Sequence, residues 1–173
     1  MADGIFLDEY RHSVDSKGRV AVPNSFRKLL TRASRGRFVL QKGRDRTIEV
    51  HPLSEWRAFW DRTLRKLPRF QLRSKRIRRQ LARASEVVVD DQGRVLIPKH
   101  LREHAGIESE VVLAGAGDYF EIWAPAEYQK SLDAAARTDE EDLAEMERLG
   151  WGAGGTEADE AGGGRLPSSG TGK

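Results

Sequence analysis

The chain is 173 residues long, 38% hydrophobic and 33% charged, which suits one compact domain or two small ones. It has no cysteine, so a disulfide framework and a thiolate metal site are excluded, and no apolar run nears the roughly 20 residues of a membrane-spanning helix. The formal net charge of +3 is unevenly spread: residues 1–84 carry 22 Lys and Arg against 8 Asp and Glu, residues 85–130 carry 4 against 9, and residues 131–173 carry 4 against 10.

The basic first half is the expected surface for an anionic partner, and for an Arg-rich chain nucleic acid comes first. The opening residues, Met1 to Asp8, lack the basic-then-apolar order of a signal peptide. Ile5 to Val14 reads as a strand. Asp15-Ser16-Lys17-Gly18 follows as a turn, where the Asp carboxylate accepts a backbone N–H two residues on and Gly takes the last position. Arg19 to Val22 is a second short strand. Pro23 opens a helix, where its missing N–H costs nothing, and Phe26, Leu29 and Leu30 give that helix one apolar stripe. Phe38-Val39-Leu40 and Thr47 to Val50 are strands around a hairpin loop, Lys42-Gly43-Arg44-Asp45. Ser54 is the expected N-cap of a helix with Trp56, Phe59, Trp60, Thr63, Leu64 and Leu67 on one face, closed by Pro68. That aromatic stripe reads as packing rather than as a cofactor box. A further helix, 70–84, sets Phe70, Ile77 and Leu81 against Arg73, Lys75, Arg76, Arg78, Arg79 and Arg83.

The pattern then starts again. Asp15 to Pro23 returns as Asp90-Asp91-Gln92-Gly93-Arg94-Val95-Leu96-Ile97-Pro98, with Asp, Gly, Arg, Val and Pro at the same places 75 residues on. Two copies of one small unit are therefore expected. The second copy holds strands at Glu86–Asp90 and Arg94–Ile97, a helix from Pro98 to a left-handed stop at Gly106, and a hairpin of Val111–Leu113 with Tyr119–Trp123. A helix over 126–136 follows, then an acidic segment, 138–149, with Leu143, Met146 and Leu149 at helical spacing. Of the last 24 residues, 9 are Gly, and so polar a tail cannot offset its ordering entropy; disorder is expected there.

His100-Leu101-Arg102-Glu103-His104 matches an inverted zinc-protease pattern, with two His at i and i+4 and Glu as general base. Its helix is too short and its domain too small for a protease cleft. Exposed surface histidines are expected instead, with no cofactor and no enzyme activity. Gly115-Ala116-Gly117 lacks the following helix and the Lys-Ser/Thr pair of a phosphate-binding loop.

Tyr10 to Pro23, His51 to Trp56, Asp91 to Pro98, Leu101 to Gly106 and Phe120 to Trp123 together resemble the MraZ family, in register over residues 5–133. The resemblance implies an α+β, mostly β fold: two AbrB-like half-barrel repeats forming one pseudo-symmetric, swapped-hairpin β-barrel with flanking helices. The chain then divides into a first repeat at 8–54, a helical connector at 55–83, a second repeat at 84–127, a C-terminal helical region at 128–149 and the tail at 150–173. The resemblance also implies a DNA-binding transcriptional regulator, a repressor of the division and cell wall gene cluster including its own gene. Such a protein is cytoplasmic, sits on the nucleoid and assembles as a ring-like homo-oligomer on promoter direct repeats. A MazE-like antitoxin is one alternative, opposed by the second complete repeat. A purely structural ring is another, opposed by the charge asymmetry.

The turn Asp15–Gly18 sets Lys17 at a hairpin tip and Arg19 just behind it. A two-stranded ribbon enters the major groove, and the Arg fork matches O6 and N7 of guanine, whereas Lys17 suits a phosphate. Arg19 is therefore the first-choice reader, weighed against a structural Asp15–Arg19 pair across the turn. Arg94 is its twin. With Asp91 and Gln92 in place of Ser16 and Lys17, in an acidic half, it is expected to be structural, its turn residues Asp90 and Gly93 completing the barrel. Arg11, Lys28, Lys42, Arg44 and Arg46 are weaker phosphate candidates. The basic helix 70–84 is a solvated face, a second DNA surface, or a partner for the acidic repeat of a neighbouring subunit.

Overall fold

The short apolar runs of the sequence form eight strands among the described residues: β1 (Glu9–Ser13), β2 (Arg19–Ala21), β3 (Arg37–Lys42), β4 (Ile48–Pro52), β5 (Ser85–Val88), β6 (Arg94–Leu96), β7 (Glu110–Gly115) and β8 (Phe120–Trp123). Six α-helices accompany them: α1 (Asn24–Ser34), α2 (Leu53–Phe59), α3 (Leu72–Leu81), α4 (Lys99–Ala105), α5 (Pro125–Ala135) and α6 (Asp139–Arg148). The fold is mixed helix and strand, with strands the more numerous elements. This computed structural model describes residues 4–150, except the side chains of residues 31–33; the tail expected to be disordered lies, from residue 151 on, outside the described residues. The chain divides into two compact units, Met1–Ser131 and Leu132–Lys173.

In the first unit six strands form one antiparallel sheet, ordered β1-β7-β8-β4-β3-β5, while β2 and β6 pair as a separate ribbon. Exchanging the repeats reads this order backwards, with β1 equivalent to β5, β7 to β3 and β8 to β4. The first strand of each repeat pairs with the third strand of the other. The pseudo-two-fold axis passes between β4 and β8, where Glu49 faces Glu121. A lone repeat offers a single hairpin, which is marginal in water; the exchange makes one sheet with a shared apolar face.

The expected barrel is not closed by hydrogen bonds. Among the described residues no ladder joins the outer strands β1 and β5. β1 instead leads into β2 across a Val14–Val20 bridge, and β5 leads into β6. Strands of 3 residues are too short to carry either edge ladder further.

One core lies between the sheet, the ribbon residues Val20 and Val95, and the inner faces of α1 and α4. Phe26 is at its centre, with ring centroids 5.2 Å from Phe6, 5.3 Å from Tyr10 and 4.9 Å from Phe120. Phe6 enters this core through a bridge to Gly117 rather than along a strand from Ile5. Asp8, at φ 69°, breaks the extended chain between Phe6 and β1, and Ile5 and Leu7 are exposed. The other face of the sheet carries a smaller cluster, Val112, Ala114 and Trp123 against Tyr128.

The connector departs from its expected form. Pro52, not Ser54, precedes α2, and the Ser54 N–H donates to Ser34 Oγ at 2.9 Å. After Phe59 the helix widens into a π turn, Trp60–Leu64. Arg78 of α3 supports it: its Nη2 donates to the carbonyls of Leu64 (2.7 Å), which also accepts the Leu67 N–H, and of Leu67 (3.0 Å) at the helix end. One arginine of the basic helix is thus structural, and Phe70 and Leu72 are exposed rather than packed.

Candidate nucleic-acid interface

Each turn is closed by its own aspartate. Asp15 Oδ1 accepts the backbone N–H of Lys17 (3.0 Å) and of Arg19 (2.9 Å), and Oδ2 accepts Arg19 Nε (2.8 Å). Asp90 does the same for Gln92 (3.0 Å), the Arg94 N–H (2.8 Å) and the Arg94 Nε and Nη2 (3.1 and 3.0 Å). These donors favour the ionised carboxylate. Both aspartates therefore sit below the usual carboxylate range, held there first by the backbone N–H of Arg19 and of Arg94. Gly18 and Gly93 end the turns at φ 83° and 75°, a region open to glycine at little cost. The Gly18 carbonyl accepts the Ile97 N–H at 2.9 Å and the Gly93 carbonyl accepts the Val22 N–H at 2.9 Å, so each turn is fastened to the other repeat.

In the ribbon Arg19 faces Leu96 and Ala21 faces Arg94. Val20 and Val95 turn into the core, which leaves Arg19, Ala21, Arg94 and Leu96 on the outer face. The side chains of Arg19 and Arg94 are 29% and 27% exposed, and Arg94 Nη1 also approaches Asp15 Oδ2 at 3.8 Å. The two arginines that sequence reasoning set apart thus both rest on the aspartate of their own turn and converge near the pseudo-two-fold axis, Arg94 tied through Nε and Nη2 and Arg19 through Nε alone. The Asp15–Arg19 pair exists, but it uses Nε; the Nη nitrogens of Arg19 have no partner among the described residues. Lys17 is exposed at the tip of the first turn and Gln92 at the tip of the second.

Sequence reasoning missed two further arginines. A Cβ at Gly18 would lie 2.8 Å from Arg102 Cζ, and one at Gly93 would collide with the Arg27 guanidinium. Arg102, on α4 of the second repeat, therefore lies against the first turn, and Arg27, on α1 of the first repeat, against the second. The signal was there: Arg27 and Arg102 stand 75 residues apart, each four residues after the recurring proline.

The other candidates, Lys28 excepted, lie away from the ribbon. Arg11 pairs with Val112, so it is on the face of the sheet turned from the core and the ribbon. That face is acidic at its centre. His51 Nε2 lies 3.0 Å from Glu49 Oε2 and holds that carboxyl low, while burial, reinforced by Glu49, pushes the Glu121 carboxyl up. Tyr128 donates to Glu9 Oε2 at 2.6 Å, and burial followed by this bond raises its hydroxyl to about 12. A phosphate backbone would meet repulsion there. Lys42 ends β3, and Arg44 and Arg46 belong to the β3–β4 loop, with Arg46 near Gly106 at the end of α4 away from the ribbon. Lys28 is exposed on α1.

The His100–His104 pattern does not assemble. His100 Nε2 is 3.3 Å from the Arg83 carbonyl, Glu103 pairs with Lys99 at 3.7 Å, and His104 Nε2 is buried without a partner among the described residues. Among the described residues no three His, Asp or Glu side chains gather at a metal position. Burial first, then Lys42, lowers the His104 pKa from 6.5; Arg46 adds to this and a bond to the Gly43 backbone opposes it. The folded protein thus resists a proton that the unfolded chain accepts, so stability should fall as pH drops below the unfolded value. Melting midpoints at about pH 7.5 and about pH 5.5 should fall further apart in the wild-type chain than in His104→Gln. Equal drops would remove His104 from the account.

The family model described as "MraZ protein, putative antitoxin-like" matches residues 5–80 and again 81–148. The protein named transcriptional regulator MraZ from Caldanaerobacter subterraneus subsp. tengcongensis is 42% identical over 135 residues, 76% of this chain and 91% of that one. Its namesake from Heliobacterium modesticaldum is 39% identical over 138 residues, 79% and 93% of the two chains. That from Alkaliphilus metalliredigens is 37% identical over 147 residues, 84% of this chain and 99% of the relative. With both repeats matched by the family model and relatives covered almost end to end, the chain belongs to the MraZ family.

Proposed function

We propose that the chain is a transcriptional regulator that reads duplex DNA through the outer face of the β2–β6 ribbon. The carrying observation is the pair Arg19 and Arg94, each aimed by an aspartate from within its own turn. A two-stranded ribbon fits the major groove, and an oriented guanidinium is the commonest reader of guanine. Ala21 and Leu96 on the same face suit thymine methyl groups, and Lys17 at the tip suits a phosphate. The relatives' name, transcriptional regulator, supports the same role. Arg11, on the acidic face, is left out of the interface.

In its finer form the protein represses the division and cell wall gene cluster, its own gene included, and resides on the nucleoid. Sheet and ribbon together act as a swapped-hairpin barrel, closed through the turns rather than by a ladder. One ribbon makes few base contacts. A ring-like homo-oligomer on promoter direct repeats raises its grip through effective concentration. The antitoxin alternative gains nothing from the fold, since the strands of each repeat already pair with the other's.

The test is fluorescence anisotropy with a promoter fragment from the cell's own division and cell wall cluster. Binding should weaken with salt, with a log–log slope of about −0.9 for each phosphate neutralised. Affinity no greater than for a scrambled duplex would refute sequence reading.

A further inference from the structure

The surroundings of the two turns are not alike. Against the Asp90–Gly93 turn lies an open groove of about 950 Å³, lined by Asn24, Arg27, Lys28, Arg35, Val89 and Asp90 among others. Its three cations all come from the first repeat. Its one carboxylate, Asp90, is already engaged by Arg94 at 3.0 Å. Arg27 Nε is buried and has no partner among the described residues. α1 begins in this groove at Asn24 and has no acidic residue in its first turn, so the positive end of its dipole is not offset there.

The equivalent positions at the first turn differ in charge. The Val14 N–H bonds the Ser109 carbonyl at 2.7 Å, as the Val89 N–H bonds that of Gly36 at 3.1 Å, which aligns Arg35 with Glu108. Arg27, Lys28 and Arg35 therefore correspond to Arg102, Glu103 and Glu108. Two of the three cations are replaced by carboxylates.

We propose that the groove between the start of α1 and the Asp90–Gly93 turn seats one backbone phosphate of the bound DNA, held by Arg27, Lys28 and Arg35. The proposal rests on the ribbon as the DNA-reading element and adds a contact outside it. The exposed Lys28 and Arg35 reach a phosphate directly, and the half-buried Arg27 guanidinium beside Gly93 adds a third positive charge behind them. The seat also has a consequence for orientation. A pseudo-symmetric ribbon by itself fits a duplex in either of two opposite directions. A phosphate seat on one side selects one of them, so each subunit reads its site in a single direction.

The experiment measures promoter binding across a salt series for the wild-type chain, the Lys28→Gln/Arg35→Gln variant, Arg19→Ala, and a Lys75→Gln/Arg79→Gln control on α3. Lys28 and Arg35 are exposed, so the fold is not at stake. The groove variant should lose about tenfold in affinity and its log–log salt slope should shrink by about 0.9, the share of one phosphate, while the α3 control keeps its slope. If Arg19→Ala weakens binding but the groove variant keeps the wild-type slope, the seat is refuted and the ribbon stands. If the wild-type chain binds no promoter DNA, the ribbon and the seat fall together. Inorganic phosphate separates the two sources of the anion: a melting midpoint that phosphate raises in the wild-type chain but not in the groove variant, with equal DNA slopes, assigns the groove to a free anion and overturns the proposal.

Discussion

Arg19→Ala is expected to weaken binding to a promoter duplex by about tenfold to a hundredfold, the range of one lost bidentate base contact. Asp15 holds the guanidinium by Nε alone, which leaves the far end of the fork to the duplex. Arg94→Ala should cost a smaller factor, because Asp90 already holds its Nη2 as well as its Nε and Asp15 lies 3.8 Å from its Nη1, which leaves less of its fork for a base. Arg19→Lys keeps the charge but loses the fork, so it should recover phosphate attraction and little discrimination. Anisotropy with promoter and scrambled duplexes side by side reads the difference. Loss confined to the promoter marks a base contact, and equal loss on both marks a phosphate contact. Unchanged binding in Arg19→Ala, with an intact melting transition, would reduce Arg19 to a brace for its own turn.

Phe26→Ala should destabilise the protein by about 3–5 kcal/mol, as expected for removing a fully buried phenylalanine. Phe26 is 0% exposed and touches three other aromatic rings. Phe6 and Tyr10 reach it from the N-terminal segment and β1, and Phe120 from β8 of the second repeat, so neither repeat can relax alone to fill the cavity. Urea unfolding should show a lower midpoint with the slope unchanged, in one transition for the sheet and ribbon. A loss under about 1 kcal/mol would mean that the core is looser than this packing implies.

Much of the local structure was legible in the residues. Asp15-Ser16-Lys17-Gly18 and its copy predicted both turns, because Asp at the first position and Gly at the last carry their own geometry. Pro23 and Pro98 marked the starts of α1 and α4, and Gly106 the left-handed end of α4. Other features escaped. Ser54 looked like a cap, yet its N–H was taken by a serine 20 residues upstream. The aromatic stripe gave no sign of the π turn, because that turn depends on Arg78 arriving from another helix. Arg27 and Arg102 stood in plain register, but their role appears only where a glycine without a side chain leaves room for them.

One turn–strand–helix unit written twice, an arginine directly behind each turn, and positive charge concentrated in the first half can all be read along the chain. They led to the expectation that the first turn would therefore stand in basic surroundings. Strand pairing reverses this. Because β1 pairs with β7 and β3 with β5, α1 comes to lie against the second turn and α4 against the first. The basic residues of the first repeat thus flank Asp90–Gly93, and Glu103 and Glu108 take their places at Asp15–Gly18. Local pattern sets turns and strand faces, since those depend on neighbours along the chain. Which strand edge meets which depends on the apolar surface that can be buried between distant segments, and that choice carried the charges to the other side of the ribbon.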